Sequence, residues 1–230
     1  PAPLLATIEH FKGLGLPTIP GAGMLATCVP GAFGGWLALL KDYGTWSLRD
    51  CLAFAIGYAR TGIPVLPNIH NTTAKVAKLF REQWPTSAEV FLDQGNVPAV
   101  GTWFRNPKLA QTYERIVEEA EAASRDREDQ IEAARRIWYE GWVAEAIDTF
   151  HASQELLDPS GNRHKGVLRF DDMARWRATY DEPATVKYGG LDVYKCGFWN
   201  QGPVLLQKLA IMLDLDARNL PATDPRFVHT

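Results

Sequence analysis

Tyr188 to Leu213 reads YGGLDVYKCGFWNQGPVLLQKLAIML, and it contains both kinds of regular structure the chain uses. Gly189-Gly190 supplies the positive φ angles that a two-residue connection needs, so Tyr188-Gly189-Gly190-Leu191 is a hairpin turn. Leu191 to Cys196 alternates, with Leu191 and Val193 on one face and Tyr194 and Cys196 on the other. Ala184 to Tyr188 is the opposing strand, which places a hairpin near 184–196. Gly202-Pro203 then opens a helix, because proline early in a helix gives up an N–H that has no partner there anyway. Leu205, Leu206, Leu209, Met212 and Leu213 follow at helical spacing. A strand that hands over to an apolar helix through Trp199-Asn200-Gln201-Gly202 makes the chain α+β.

Upstream, the patterning is mainly helical. Asp171 to Trp176 is a short helix with acid in its first turn, where the helix dipole favours it. Asp158 to Arg163 is a turn. Trp142 to Phe150 and Ile131 to Trp138 read as helices interrupted at Gly141. Glu118 to Arg136, EEAEAASRDREDQIEAARR, mixes its charges, so it reads as the solvated faces of two helices and their connection rather than a binding tract. Asn106-Pro107 caps a helix with Asn at the N-cap and Pro in the first turn, and Leu109, Tyr113, Ile116, Val117 and Ala120 form its inner face. Pro85 to Arg105 is irregular. Asn71 to Trp84 is a helix with Val76, Leu79, Phe80 and Trp84 inward, and Ile63 to Asn68 is extended because of its prolines.

The first quarter follows the same logic. Ser47 to Arg60 is a helix with Ser47 as N-cap and Asp50 three residues on, as in a capping box. Leu48, Leu52, Ala55, Ile56 and Ala59 are its expected buried face, and Gly62 stops it. Pro30 to Asp42 is a helix with an apolar stripe of Phe33, Trp36, Leu37 and Leu40, ended by Gly44. Joined through Tyr43 to Trp46, the two predict a helical hairpin. Met24 to Val29 reads as a short strand, and Thr7 to Leu14 as a short helix in a Gly/Pro-rich loop.

Composition sets wider limits. A chain of 230 residues with 46% hydrophobic and 22% charged residues buries a substantial core in one large domain or two small ones. The net charge of −3 offers no basic stripe, so nucleic acid is not an expected partner. No apolar run approaches the roughly 20 residues of a membrane span. The three cysteines, Cys28, Cys51 and Cys196, have no metal-ligand spacing and an odd count. They read as buried or half-buried thiols in a reducing compartment. The chain begins Pro1-Ala2-Pro3 and stops at Phe227-Val228-His229-Thr230. The expectation is a single segment, 1–230, of a longer polypeptide, truncated at both ends and cytoplasmic, with a periplasmic or secreted precursor left open.

Motifs that carry chemistry are few. His10, His70, His151, His164 and His229 lack the i, i+4 pairing of helical zinc sites, so no metal is expected. There is no nucleophile elbow, P-loop or dinucleotide fingerprint. Gly31-Ala32-Phe33-Gly34-Gly35 opens a helix where an anion is accepted or, by the reading preferred here, a neighbour packs closely. Asn71-Thr72-Thr73 is a glycosylation sequon, a pattern common by chance. Asp171 and Asp172 are adjacent, diverge on a helix, and suit helix-start electrostatics better than paired-carboxylate catalysis. Asn200, Gln201 and Gly202 are the candidates for a substrate cleft. They orient a substrate amide or hold a neighbouring loop, or else they satisfy backbone groups at the corner.

The order of patterns is more specific than any one of them. Val29-Pro30-Gly31-Ala32, Trp36-Leu37 and Asp42-Tyr43-Gly44 resemble the VPG…W/F-L…YG segment of γ-glutamyltransferases. Leu52 to Val65, LAFAIGYARTGIPV, is similar to that family's AxxLAxxGFxV stretch. Trp138 to Ile147 resembles FYxGxIAxxI, Phe170 to Trp176 resembles TxEDLAxY, and Tyr188 to Tyr194 resembles YRGYxVY. The likeness covers nearly the whole chain. Two departures stand out. Phe198-Trp199-Asn200-Gln201-Gly202-Pro203 replaces a Pro-Pro-x-Ser-Ser-Gly-Gly turn, which marks a divergent branch, and Pro85 to Arg136 is longer than its counterpart.

The resemblance implies a large-subunit segment of an N-terminal-nucleophile hydrolase with a four-layer αββα core. Such precursors cleave themselves. A threonine at the new N-terminus of the small subunit attacks a γ-glutamyl amide, with its own α-amine as base and backbone N–H groups on the oxyanion. That threonine is expected beyond Thr230, and the carboxylate-binding arginine before Pro1, so no catalytic residue is carried onto this chain. No cofactor is implied. The implied partners are the small subunit and a small-molecule amide such as glutathione. Alternatives are a cephalosporin-type acylase, an oxamate amidohydrolase, an enzyme that never self-cleaves, or a non-catalytic helical scaffold.

Overall fold

Side-chain caps open several helices in the computed structural model, which describes residues 1–214 and 219–228. The chain divides into two units, Pro1–Ala178 and Thr179–Thr230. The first contains α1 (Ile8–Gly13), α2 (Ala32–Tyr43), α3 (Leu48–Thr61), β1 (Ile63–Pro64), α4 (Pro67–Gln83), α5 (Pro85–Phe91), β2 (Trp103–Phe104), α6 (Pro107–Ala123), α7 (Arg127–Glu140), α8 (Trp142–Ser153), β3 (Leu156–Leu157), β4 (Arg163–His164) and α9 (Phe170–Arg175). Thr7, Ser47 and Asn106 each accept a backbone N–H three residues on, and Asp126 accepts from both Glu128 and Asp129 at the start of α7. Each cap satisfies donors that a helix N-terminus leaves unpaired.

Three expectations change here. Met24 to Val29 is not a strand: Met24–Ala26 is a single 3-10 turn with Met24 and Leu25 buried. The Val29 N–H pairs with the Pro1 carbonyl at 3.1 Å, and no ladder forms. Helix α4 starts at Pro67 rather than Asn71, because proline in the first turn imposes a helical φ without breaking a hydrogen bond. Pro85 to Arg105 is not wholly irregular. It carries α5 and also β2, which pairs antiparallel with β1, Ile63 opposite Phe104.

Helices α6, α7 and α8 pack in series. Helix α3 lies on α6, α2 on α7, and α9 on both α7 and α8. Phe33, Leu37, Leu48, Ile116, Val117, Ala120, Ile131, Ala134 and Val143 share one core cluster. A second joins Val29, Tyr139, Ala144, Leu168 and Met173. Joined through residues 44–47, α2 rests on α7 and α3 mainly on α6, and each helix buries only part of its apolar stripe. Phe33 and Leu37 are buried, but Trp36 is 65% exposed, and Leu48 is the one buried residue of α3. The cysteines also differ from expectation: Cys28, Cys51 and Cys196 are free and exposed. Cys51 lies on the uncovered side of α3, and the other two lie in connections between elements.

In the second unit, β5 (Ala184–Tyr188) pairs with β6 (Leu191–Lys195), Tyr188 opposite Leu191. Gly189 and Gly190 take φ of 59° and 84°, the paired left-handed conformation of a two-residue hairpin turn. Helix α10 (Gly202–Asp214) packs on both strands with Leu206 buried, and α11 is Pro225–Val228. His229 lies outside the described residues.

Candidate functional site

The three candidates of the sequence, Asn200, Gln201 and Gly202, meet on the corner between β6 and α10. The Asn200 N–H donates to the Gly197 carbonyl at 3.2 Å. Its Oδ1 accepts the Gly202 N–H at 2.6 Å, the i to i+2 bond of an Asx turn. The Gln201 carbonyl accepts the Leu205 N–H at 3.4 Å and so begins the helix. Gly202 is buried. A Cβ there would overlap the Cys196 carbonyl and stand 2.8 Å from Asn200 Oδ1. Close approach thus accounts for the glycine, and a backbone bond accounts for the Asn200 oxygen. Asn200 and Gln201 are otherwise exposed, as are Phe198 at 94% exposure and Trp199 at 70%.

In the first unit, polar side chains do joining work that the sequence did not reveal. Tyr139 is fully buried. Its hydroxyl donates to the Pro30 carbonyl at 2.8 Å and accepts the Gly34 N–H at 3.0 Å. Burial pushes its pKa up to about 12, so the phenol keeps its proton. Gly34 admits the rings of Tyr139 and Trp176, which stack at 4.9 Å. Close packing at Gly34 is therefore real and the partner is aromatic side chain, whereas Gly35 faces open space. Asp172, buried, accepts from Leu4 N–H at 2.8 Å and Arg169 N–H at 2.9 Å. The Asp171-Asp172 pair is one exposed acid and one tether for the N-terminal segment.

Two histidines are also buried or nearly so. His164 Nδ1 lies 2.7 Å from Asp158 Oδ2. Burial raises the Asp158 pKa, but hydrogen bonds from Ser160 and His164 outweigh it and hold the carboxyl below its usual range. His151 is buried, and its Nδ1 finds no partner among the described residues. A cleft of 270 Å³ is lined by Lys41, Asp42, Glu132, Arg135 and Arg177 around Gly34 and Trp176. Its charges are largely paired, Arg135 with Glu132 and Glu140, and Arg177 with Glu140.

Among the described residues, no serine, threonine or cysteine side chain hydrogen-bonds a histidine ring, and no three His, Cys, Asp or Glu residues are placed to hold a metal ion. No described helix is long and apolar enough to cross a membrane.

Helices in series, a hairpin and a capped corner define a helix-rich α+β chain of the kind found in N-terminal-nucleophile hydrolases. The crystal structure of a cephalosporin acylase from Bacillus halodurans matches with a TM-score of 0.73 at 27% identity, over 92% of this chain and 36% of that one. The chain belongs to the gamma-glutamyltranspeptidase family, whose model matches residues 1–230. A glutathione hydrolase-like YwrD proenzyme of Bacillus subtilis is 30% identical over 97% of this chain and 38% of its own length. The solved structure of LmbA2991HD is 47% identical with a TM-score of 0.87, covering 97% of this chain and 37% of that one. The chain thus spans under two fifths of the length of these relatives.

Proposed function

We propose that residues 1–230 form part of the large subunit of a γ-glutamyltransferase-like enzyme. The complete protein transfers or hydrolyses a γ-glutamyl or related amide through an acyl-enzyme on the N-terminal threonine of its small subunit. The family match along the whole of 1–230, with no nucleophile and base assembled among the described residues, is the observation that carries this reading. The segment contributes wall and support, including the Asn200–Gln201–Gly202 corner as a candidate edge of the substrate cleft. Taken alone it is inactive. Its partners are the small subunit of the same precursor and a small-molecule amide such as glutathione.

A second reading keeps the mechanism and changes the amide. Trp199 to Pro203 departs from the family turn, and the likeness to a cephalosporin acylase favours a non-γ-glutamyl acyl group.

The test is the full-length protein on a denaturing gel, with N-terminal sequencing of any smaller band and product release from γ-glutamyl and other amides. Two bands with threonine opening the smaller one, and acyl release, are expected. A single intact band without activity on any amide would sink the proposal. Activity confined to non-γ-glutamyl amides selects the second reading.

A further inference from the structure

We propose that the apolar groove between α2 and α3 is the seat of polypeptide from the same precursor, lying outside residues 1–230. The groove measures 610 Å³. Phe33 and Leu37 floor it, Trp36 and Leu39 wall it from α2, and Cys51 and Ala55 wall it from α3. Trp36 and Leu39 stand three apart on one helix, and Cys51 and Ala55 four apart on the other, so each pair shares a face. Phe54 and Tyr58 are further exposed aromatic residues of α3, each more than three-fifths exposed.

Helix α2 carries Lys41 and Asp42 as its charged residues and is otherwise apolar around nearly its whole circumference. A helix of that composition belongs in an interior. Here α7 covers one side of it. An open aromatic and aliphatic face of this extent is a mark of an interaction surface.

The occupant follows from what the relatives contain. The Bacillus subtilis relative is a proenzyme of which this chain spans 38%, so more than half of such a precursor has no counterpart in 1–230. The inference rests on the proposal above that the complete protein has that remaining chain. It does not depend on self-cleavage or on which amide is used. A nearly uncharged lining calls for an apolar segment and gives a charged ligand nothing to pair with.

Cys51 is exposed and lines the groove, so its reactivity reports cover. Full-length protein is pulse-labelled with a maleimide, native and unfolded in guanidinium, and the peptide carrying Cys51 is quantified by mass spectrometry. Cover by the precursor's own chain slows native labelling by at least about 100-fold relative to the unfolded protein, since reaction must await local opening. That protection persists on dilution of a species that sediments as one precursor. An uncleaved, inactive precursor that still protects Cys51 sinks the acyl-enzyme reading and leaves this proposal standing. Labelling within a few-fold of the unfolded rate overturns it. So does protection lost on dilution as a dimer dissociates, which assigns the groove to a second copy. Protection that arises only on adding phosphatidylcholine vesicles assigns it to a lipid surface and overturns the proposal as well.

Discussion

At Gly34 the smallest side chain holds the largest contacts. Two aromatic rings lie where a Cβ would go, Tyr139 within 2.9 Å of it and Trp176 overlapping it. Gly34→Ala is therefore an overpacking change and lowers stability by about 1–3 kcal/mol. Gly35→Ala, one residue on with nothing within 4 Å, is neutral or stabilises by up to about 1 kcal/mol through helix propensity. Urea unfolding of the two variants checks the contrast, and equal effects would remove the packing argument. His151 makes a second prediction by its charge. Burial, with the Arg169 charge adding to it and Asp148 opposing, holds its pKa below the ordinary value. The unfolded chain then binds more protons than the folded one as pH falls below about 6.5, so this contribution to stability is complete above that pH and declines beneath it. His151→Leu is expected to lose less stability than the parent between pH 7.5 and pH 5. Parallel curves for the two would show that His151 does not titrate with unfolding.

At the scale of elements, one arginine joins two helix ends. Arg127, in the first turn of α7, donates to the carbonyls of Leu40 and Gly44 at the end of α2 and to Trp46 beyond it. These carbonyls include groups that a helix C-terminus leaves unpaired, and a cation there also complements the dipole. Arg127→Ala is expected to cost about 1.5–3 kcal/mol. Arg127→Lys recovers only part of this, because a point charge lacks the planar fork that spans three carbonyls. Full recovery by lysine in thermal melts would reduce the contact to simple charge. Such long-range ties were not legible in the sequence, and neither was the cover that α2 and α3 lack. Ser47, Asn106 and Gly189-Gly190 were legible because their partners lie within three residues. The start of α4 was misplaced because the prolines before it were read as helix breakers, when one of them sits in the first turn. Trp36 misled for another reason: apolar spacing states which face seeks cover, and 1–230 supplies cover for part of that face.

For the whole molecule, the corner opening α10 is the place where a folding duty and a proposed catalytic duty can be told apart. The family was legible from the order of short patterns, but the corner lacks the turn that this resemblance leads one to expect. The geometry now separates its residues. Asn200 has a structural duty through its bond to Gly202, and Gly202 has one through its close approach to Cys196. The exposed Gln201 side chain has neither. Replacing Asn200 and Gln201 together with alanine in the full-length protein is expected to cost about 1 kcal/mol from the lost turn acceptor. It should also lower turnover or maturation beyond what that loss explains. The control is Asn200→Asp, which keeps an oxygen for the Gly202 N–H. If the corner borders the substrate cleft, Gln201→Ala reduces kcat/KM without moving the unfolding midpoint, and Asn200→Asp alters kinetics while holding stability. Unchanged kinetics and processing in Gln201→Ala, with the stability loss confined to variants lacking the Asn200 acceptor, would reduce the corner to a capped strand-to-helix connection. The choice of amide would then have to be set by residues elsewhere in the precursor.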